Sequence, residues 1–330
     1  MIKSEMPASE DAAKSVADVA EAFTPGGADD APHLQTGSAL RSIASTAVDR
    51  FVQPEQAPRR LFHYTSSAGL LGILDSNELR FSDPFFLNDG SEVFYGADMF
   101  RTHLEERLKG FGSSTIDFAN RLVERLYHDR SSGRGLIFCL SEEGNLLNQW
   151  RDYGKDIVPY SIEFEMQELV FEGEFPALIF KMVYDHEAQT SVIAEMVDKY
   201  IIEIQRLWSL IENDADLQNR TIMAMSADIS HVLTQFKNSA FAPEREWRLV
   251  TYPYWFNDKA PDFRTSSLGV VPYVSRGPKG GAKGGGLLPI VAVGVGPSPH
   301  GKTSQLGLSL LLHRYGYGQV PTWYSTIPAR

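Results

Sequence analysis

Hydrophobic positions recur along this chain with two different periods, which predict strands and helices. Short apolar runs bounded by turn residues predict strands at 61–65, 79–81, 135–141, 160–165, 177–184, 244–252, 269–274 and 287–295. Apolar residues at three- and four-residue spacing predict helices near 70–74, 94–108, 116–127, 187–211, 215–236 and 306–312. Strands lie toward both ends and helices collect in the middle, so we expect an α+β fold with a helical insertion at 187–237.

The first 57 residues differ from the rest in composition. They are rich in Ala, Ser, Asp and Pro, contain the breaker Pro25-Gly26-Gly27 and hold few large apolar residues. Nine acidic residues face four basic ones, so this segment carries −5 of the net charge of −11. The composition predicts a disordered acidic segment at 1–57 and a folded domain at 58–330.

Composition and charge narrow the classes of function. With 43% hydrophobic and 22% charged residues, the chain has ordinary globular composition. A net charge of −11 gives no general attraction to nucleic-acid backbones. No long apolar run predicts a membrane span and no signal peptide is recognisable, so we expect a cytoplasmic protein. The single cysteine, Cys139, excludes an internal disulfide.

One stretch matches the phosphate-loop pattern in full. It runs from Gly296 to Thr303, after an apolar strand and before a helix. Such a loop cradles phosphates with consecutive backbone N–H groups, but Pro297 and Pro299 have none. A phosphate-loop nucleotide hydrolase is therefore one alternative, against a strand-to-helix turn with Lys302 at the surface.

Polar and aromatic side chains at two strand ends are candidates for a binding site. His63 comes just before a helix N-terminus, where free N–H groups favour an anion; the alternative is a structural histidine bonded to a carbonyl. Ser141 ends a buried strand, and Trp150 and Tyr153 follow on one helix face. An aromatic pair at this spacing can stack on a flat ring or fill the core.

A third candidate is the charged segment before and within the strand at 244–252. Strand alternation predicts Glu244, Glu246 and Arg248 on one face, and Arg245 and Trp247 on the other. Two neighbouring carboxylates can hold a sugar hydroxyl and stabilise a cationic sugar centre, as glycosyl transfer requires. The alternative is a solvated row of charges.

Four short motifs, in their order and spacing, resemble those of an uncharacterised bacterial domain family. They are His63-Tyr64-Thr65-Ser66, Leu87-Asn88-Asp89 with Glu92, Phe138-Cys139-Leu140-Ser141 with Trp150 and Tyr153, and Glu244-Arg245-Glu246-Trp247-Arg248. In its opening His and closing Glu, that family is similar to the ADP-ribosyltransferase superfamily. The resemblance implies an ADP-ribosyltransferase-like split sheet that binds NAD, as a substrate, in a cleft.

The resemblance also implies roles for individual residues. His63, Glu244 and Glu246 would be catalytic, with His63 contacting the adenosine ribose or phosphate side of NAD. Glu246 would hold the nicotinamide ribose, Glu244 would orient the acceptor, and Tyr153 or Tyr64 would stack on nicotinamide. The implied NAD-binding residues are His63, Tyr64, Thr65, Asn88, Asp89, Ser141, Trp150 and Tyr153. The chain departs from the superfamily pattern at one position. Members that end in Glu-x-Glu usually carry Arg in the first motif, where this chain has His63.

The implied function is mono-ADP-ribosyl transfer from NAD to a nucleic-acid or protein acceptor. By analogy with the superfamily, a toxin, antiphage or exported effector role follows, and for a toxin we also expect an inhibitory partner protein. The alternative from another class is a module that binds a nucleotide or nucleic acid without turnover.

Overall fold

The computed structural model describes most of the chain from residue 43 onward. The described residues are 43–52, 55–86, 92–128, 135–152, 158–169, 171, 177–251, 261–266, 269–278 and 286–328. The helices are α1 (Ile43–Phe51), α2 (Ser67–Ser76), α3 (Glu92–Arg107), α4 (Ser113–His128), α5 (Leu147–Asp152), α6 (His186–Ile211), α7 (Ala215–Leu233) and α8 (Gly301–Arg314). Short 3-10 helices lie at Pro84–Phe86 and Ser239–Glu244.

The strands belong to one connected sheet. They are β1 (Arg60–Thr65), β2 (Leu79–Ser82), β3 (Leu136–Ser141), β4 (Tyr160–Glu165), β5 (Leu178–Lys181), β6 (Glu246–Thr251), β7 (Asp262–Ser266), β8 (Gly269–Arg276), β9 (Ile290–Val295) and β10 (Thr322–Tyr324). The named strands pair antiparallel except for β9 and β10, which are parallel and are joined through α8. The predicted α+β class is thus confirmed, with a mixed sheet.

The sheet divides at β3. One edge of β3 pairs with β6 over its whole length. The other edge is shared, because β1 pairs with it at Ser141 and β2 pairs with it at Ile137. One branch then continues from β1 through β4 and β9 to β10, and the other from β2 through β8 to β7. We call the place where β1 and β2 separate along β3 the fork.

The buried apolar side chains form two cores. The sheet core contains Leu61, Phe138, Phe164, Trp247 and side chains of α2 and α8. The helical core is built by α1, α3, α4, α6 and α7. Because successive side chains of a strand point to opposite faces, Phe138 enters the sheet core while Cys139 faces away from it.

Most of the predicted elements are present, with differences at their ends. The predicted strand at 160–165 matches β4, and Ser66 caps α2 by accepting a hydrogen bond from Gly69 N–H. The strand predicted from residue 244 begins only at Glu246. Glu244 instead ends a 3-10 helix, and Arg245 adopts a left-handed conformation with φ 49°. The prediction that Glu244 shares the strand face is therefore wrong.

The structure differs from the sequence prediction near the N-terminus. Within the segment expected to lie outside the fold, Ile43–Phe51 forms α1. Ile43, Ala44 and Ala47 are buried in the helical core, and Ala44 N–H donates to the Asp228 carboxylate (2.9 Å). The folded part therefore begins before residue 58. Small side chains made this helix hard to recognise, because two of its three buried residues are alanines.

The helices predicted as an insertion at 187–237 belong to a larger helical layer. α6 and α7 pack with α1, α3 and α4 around the helical core, so the helical layer combines segments from several parts of the chain. None of the helices in the described residues has the length and apolar character needed to cross a membrane.

Candidate functional site

His63 lies at the fork. Its Nδ1 is 2.9 Å from the carbonyl oxygen of Cys139, and its ring stacks on Phe138 with centroids 4.1 Å apart. The imidazole therefore bridges β1 and β3 where the two strands begin to separate. The side chain remains partly exposed to solvent.

His63 is held neutral. Burial lowers the pKa of its imidazole to about 4, and the charge of Arg264 acts in the same direction, against the hydrogen bond to Cys139. A carbonyl oxygen can only accept, so Nδ1 carries the proton and donates it to Cys139. Nε2 is then left with a lone pair, which can accept a hydrogen bond from a hydroxyl group but does not attract an anion.

The two carboxylates of the charged motif form a buried ion-pair cluster with Lys237, which follows α7, and with Arg248 of β6. Lys237 Nζ lies 2.6 Å from Glu244 Oε2 and 2.7 Å from Glu246 Oε2. Arg248 Nε donates to Glu246 Oε1 at 2.6 Å. We call Lys237, Glu244, Glu246 and Arg248 the ion-pair cluster; none of the four is more than 4% exposed. The solvated row of charges considered from the sequence is therefore wrong.

Local backbone geometry brings these carboxylates together. Asn238 caps the 3-10 helix that carries Glu244, by accepting a hydrogen bond from Ala240 N–H (2.9 Å). The left-handed residue Arg245 then turns the chain into β6, where Glu246 pairs with Ser141 of β3. Glu244 and Glu246 consequently approach the same ammonium group although they belong to different elements.

The cluster is electrostatically strong. Burial alone would raise the pKa of Glu246, but the charges and hydrogen bonds of Arg248 and Lys237 outweigh it and bring the pKa down to about 2. Burial and the charge of Glu246 raise the pKa of the Cys139 thiol, so this half-buried cysteine stays protonated and is a poor nucleophile. Glu246 is ionised at neutral pH, with its charge compensated by two cations.

His63 and Glu246 meet the same strand from opposite sides. The His63 ring stacks on Phe138, which faces the sheet core. Glu246 lies opposite Ser141 and influences Cys139, whose side chain alternates to the other face. The structure thus brings the two motifs to β3 within a few residues of each other, with the two side chains on different faces.

Tyr64 and Ser141 make internal hydrogen bonds. The Tyr64 hydroxyl donates to the carbonyl of Glu143 (2.6 Å) and accepts from Leu146 N–H (2.9 Å). Ser141 Oγ donates to the carbonyl of Glu244 (2.7 Å), which ties β3 to the ion-pair cluster. Both side chains are buried, so their groups organise the loop after β3.

Thr65 and Trp150 are buried as well. Trp150 Nε1 donates to Asn145 Oδ1 (3.0 Å), and its ring meets Tyr64 edge-on at 4.6 Å. This is the core contact considered from the sequence. Thr65 packs so closely against α2 that a side chain at Gly69 would lie 2.0 Å from Thr65 Oγ1. Asn88, Asp89 and Tyr153 lie outside the described residues.

The phosphate-loop match forms a strand-to-helix turn. Gly296 N–H donates to the carbonyl of Pro159 (2.8 Å), and His300 N–H donates to Ser298 Oγ (3.1 Å). These donors are used within the turn, and Lys302 is exposed at the first turn of α8. The arrangement is the strand-to-helix turn considered from the sequence, with Lys302 at the surface, rather than a phosphate cradle.

Other site types find little support in the described residues. They contain no group of three or more His, Cys, Asp or Glu side chains placed to hold a metal ion. A cavity of about 10 Å³ lies in the helical core among apolar side chains, including Phe100, Tyr200 and Met225, and none of the candidate residues lines it.

Sequence reasoning missed three basic residues near the candidates. Lys237 holds both carboxylates, and Arg80 and Arg264 lie on strands of the branch that begins with β2. Lys237 precedes Glu244 by seven residues, a spacing that indicates nothing until the 3-10 helix is known. Arg264 lies on a strand that the hydrophobic pattern did not predict.

Comparison with known proteins gives one match. No curated protein and no solved structure matches this chain. The segment that matches a family model begins within α5, covers β4, β5, α6 and α7, and ends within β6. It includes the ion-pair cluster but neither His63 nor Ser141. Residues 149–249 match the family described as a protein of unknown function, DUF2971.

Proposed function

We propose that this domain binds NAD at the fork and acts as a mono-ADP-ribosyltransferase-like enzyme, with a nucleic-acid or protein acceptor. One observation carries the proposal: His63 and Glu246, from motifs 183 residues apart (246 − 63), both contact β3 near the fork, His63 through Cys139 and Glu246 opposite Ser141. Since the two side chains lie on different faces of β3, a ligand that contacts both must extend through the fork. The division of the sheet at this strand is the feature that supports placing a cleft there.

The state of His63 supports a contact with a ribose. The neutral ring carries a lone pair on Nε2, and a ribose hydroxyl is a suitable donor to it. This favours the ribose over the phosphates among the two contacts expected from the sequence. The phosphates then need cationic partners elsewhere.

The reaction would break the bond between nicotinamide and C1′ of its ribose. Nicotinamide leaves with the bonding electron pair, an oxocarbenium-like centre develops, and a nucleophilic atom of the acceptor bonds to C1′ and releases its proton. A carboxylate facing that centre lowers the barrier because the positive charge grows only in the transition state. Glu246 is assigned this role and Glu244 the orientation of the acceptor.

The ion-pair cluster sets a condition on this mechanism. Both oxygens of Glu246 are engaged by Lys237 and Arg248, and the carboxylate is buried. Turnover therefore requires a rearrangement in which Glu246 exchanges one of these contacts for the substrate. Such steps are common where binding completes a catalytic site.

The engagement of both Glu246 oxygens in the ion-pair cluster favours a second candidate function. If the ion-pair cluster stays closed, the fork binds a nucleotide without cleaving it, and the domain is a sensor or binding module. The toxin, antiphage and effector roles, together with an inhibitory partner protein, belong to the catalytic candidate and rest on analogy alone.

Nicotinamide release from NAD by the full chain separates the two candidates. Glu246→Gln should reduce turnover by about 10²-fold or more with little change in NAD affinity, because the lost charge acts mainly in the transition state. Glu244→Gln should spare NAD hydrolysis and depress transfer to an acceptor. Glu203→Gln, at a partly exposed position of α6 far from the candidate residues in the sequence, is the matched control.

Folding of each variant is measured first, because Glu246 is buried. His63→Gln leaves the ion-pair cluster intact and should weaken NAD binding, which gives a second route to the same question. Equal nicotinamide release from wild type and a folded Glu246→Gln variant would remove Glu246 from the mechanism. NAD binding without any release by the wild type would favour the binding module.

A further inference from the structure

Two arginines lie close together on the branch that begins with β2. Arg264 Nη2 donates to Ser82 Oγ at 3.3 Å, and the guanidinium carbon of Arg80 lies 4.9 Å from the centre of the Tyr273 ring. Ser82 pairs with Tyr273 across β2 and β8, so strand alternation puts Arg80, Ser82 and Tyr273 on one face. The four side chains form a compact polar group.

Among the described residues, no acidic side chain pairs with these arginines. In the part of the chain that the structure describes, neither Arg80 nor Arg264 forms an ion pair, and Arg80 Nε is buried without a hydrogen-bond acceptor. Asp262, exposed on β7, is not paired with Arg264. Burial and the charge of Arg80 lower the pKa of the Arg264 guanidinium, as expected for like charges held together.

Such a pair suits an anion. Each guanidinium carries five N–H donors in a planar fork that matches phosphate oxygens, and Ser82 uses one donor of Arg264. Two neighbouring cations repel each other, and an anion bound between them compensates that repulsion. Both side chains are partly exposed, so a ligand can reach them.

The pair also lies near the fork. The charge of Arg264 influences His63, and β2, which carries Arg80, forms the side of the fork opposite β1. Gly72 of α2 lies against Arg80: a side chain there would approach the guanidinium nitrogens to 3.0–3.1 Å. The helix that connects β1 and β2 therefore fixes where the Arg80 guanidinium lies.

We propose that Arg80 and Arg264 bind the pyrophosphate group of a nucleotide. The nucleotide as ligand rests on the proposed function, whereas the pyrophosphate site rests on the arginine pair itself. Strand alternation puts the arginines on the face of β2 away from the sheet core, whereas the His63 ring stacks on Phe138, which faces that core. The pyrophosphate site therefore does not depend on a contact with His63.

The test measures binding of inorganic pyrophosphate and of ADP to the full chain by calorimetry. Arg80→Gln and Arg264→Gln should each weaken both affinities by about tenfold or more, since each removes a charge-assisted contact. Gly72→Ala should weaken binding without removing a charge, because it displaces Arg80. Arg206→Gln, at an exposed position of α6, should bind as the wild type does.

The outcomes separate this inference from the proposed function. Arginine-dependent binding of pyrophosphate and ADP, with or without nicotinamide release, supports the site. Equal binding by wild type and both arginine variants, or no binding by the folded wild type, overturns it. Displacement of bound pyrophosphate by an oligonucleotide but not by ADP would also overturn it, since the partner would then be a nucleic acid.

Discussion

At the scale of single residues, the side chains on the two faces of β3 differ in their charge state. His63 is kept neutral by burial at the fork, while Glu246 is kept charged by Lys237 and Arg248. Both shifts move a pKa downward, but they act in different ranges of pH. This separation makes their contributions to stability measurable one at a time.

The pH dependence of unfolding should show two windows. The pKa of His63 falls from 6.5 to about 4 on folding, so the unfolded chain binds more protons there and stability decreases as pH falls through that range. The pKa of Glu246 falls from 4.5 to about 2, so its stabilisation is present above about pH 4.5 and is lost on acidification toward 2.

Urea unfolding at a series of pH values checks this expectation. His63→Gln should flatten the free energy of unfolding between pH 6.5 and 4, and Glu246→Gln should flatten it below pH 4.5. An unchanged profile in both variants would mean that neither group is perturbed in the folded protein.

At the scale of elements, α1 is the clearest addition to the sequence prediction. The helix buries Ile43, Ala44 and Ala47, and its Ala44 N–H satisfies Asp228, which also accepts from the Tyr200 hydroxyl (2.6 Å). Removing the helix would expose the helical core and leave this buried carboxylate with fewer donors.

Two truncations should therefore differ. Deleting residues 1–42 should leave the melting temperature almost unchanged, because that segment is poor in large apolar residues. Deleting residues 1–52 should lower the free energy of unfolding by about 3 kcal/mol or more. The helical core loses the buried surface of α1, and Asp228 loses the hydrogen bond from Ala44 N–H. Equal melting temperatures of the two truncated chains would contradict the role assigned to α1.

Some elements could be predicted from the sequence pattern and others could not. Tyr160–Glu165 was predictable because its apolar residues alternate clearly and its ends carry turn residues. α1 was not, because Ala44 and Ala47 bury little surface each. β7 was missed because its one large apolar residue, Phe263, is 64% exposed, so no buried face appears in its pattern.

The candidate site was predictable only as a set of residues. The sequence motifs indicate His63 and Glu246, but periodicity cannot reveal that β1 and β2 share one edge of β3. Nor can it assign Lys237 to both Glu244 and Glu246, because the backbone turn at Arg245 determines that contact.

At the scale of the whole molecule, the segment that matches the family of unknown function is structurally incomplete. Within residues 149–249, β4 pairs with β1 and β9, and β6 pairs with β3. All three of these partner strands lie outside the segment. An isolated segment would leave strand edges unpaired and apolar faces open.

Residues 149–249 expressed alone should therefore fail to fold, whereas residues 43–328 should unfold cooperatively. Circular dichroism during heating, together with the dispersion of amide signals, measures the difference. A cooperative transition in the 149–249 segment would mean that the sheet does not depend on β1, β3 and β9.

The ion-pair cluster has one more consequence, which concerns substitution rather than stability. Lys237 and Arg248 contribute two positive charges and Glu244 and Glu246 two negative ones, so the four side chains form an electroneutral unit in the interior. Any single change of charge leaves one ion uncompensated there, and a second change of opposite sign restores neutrality. Variation at these four positions should therefore be concerted, with one cation and one carboxylate lost or gained together.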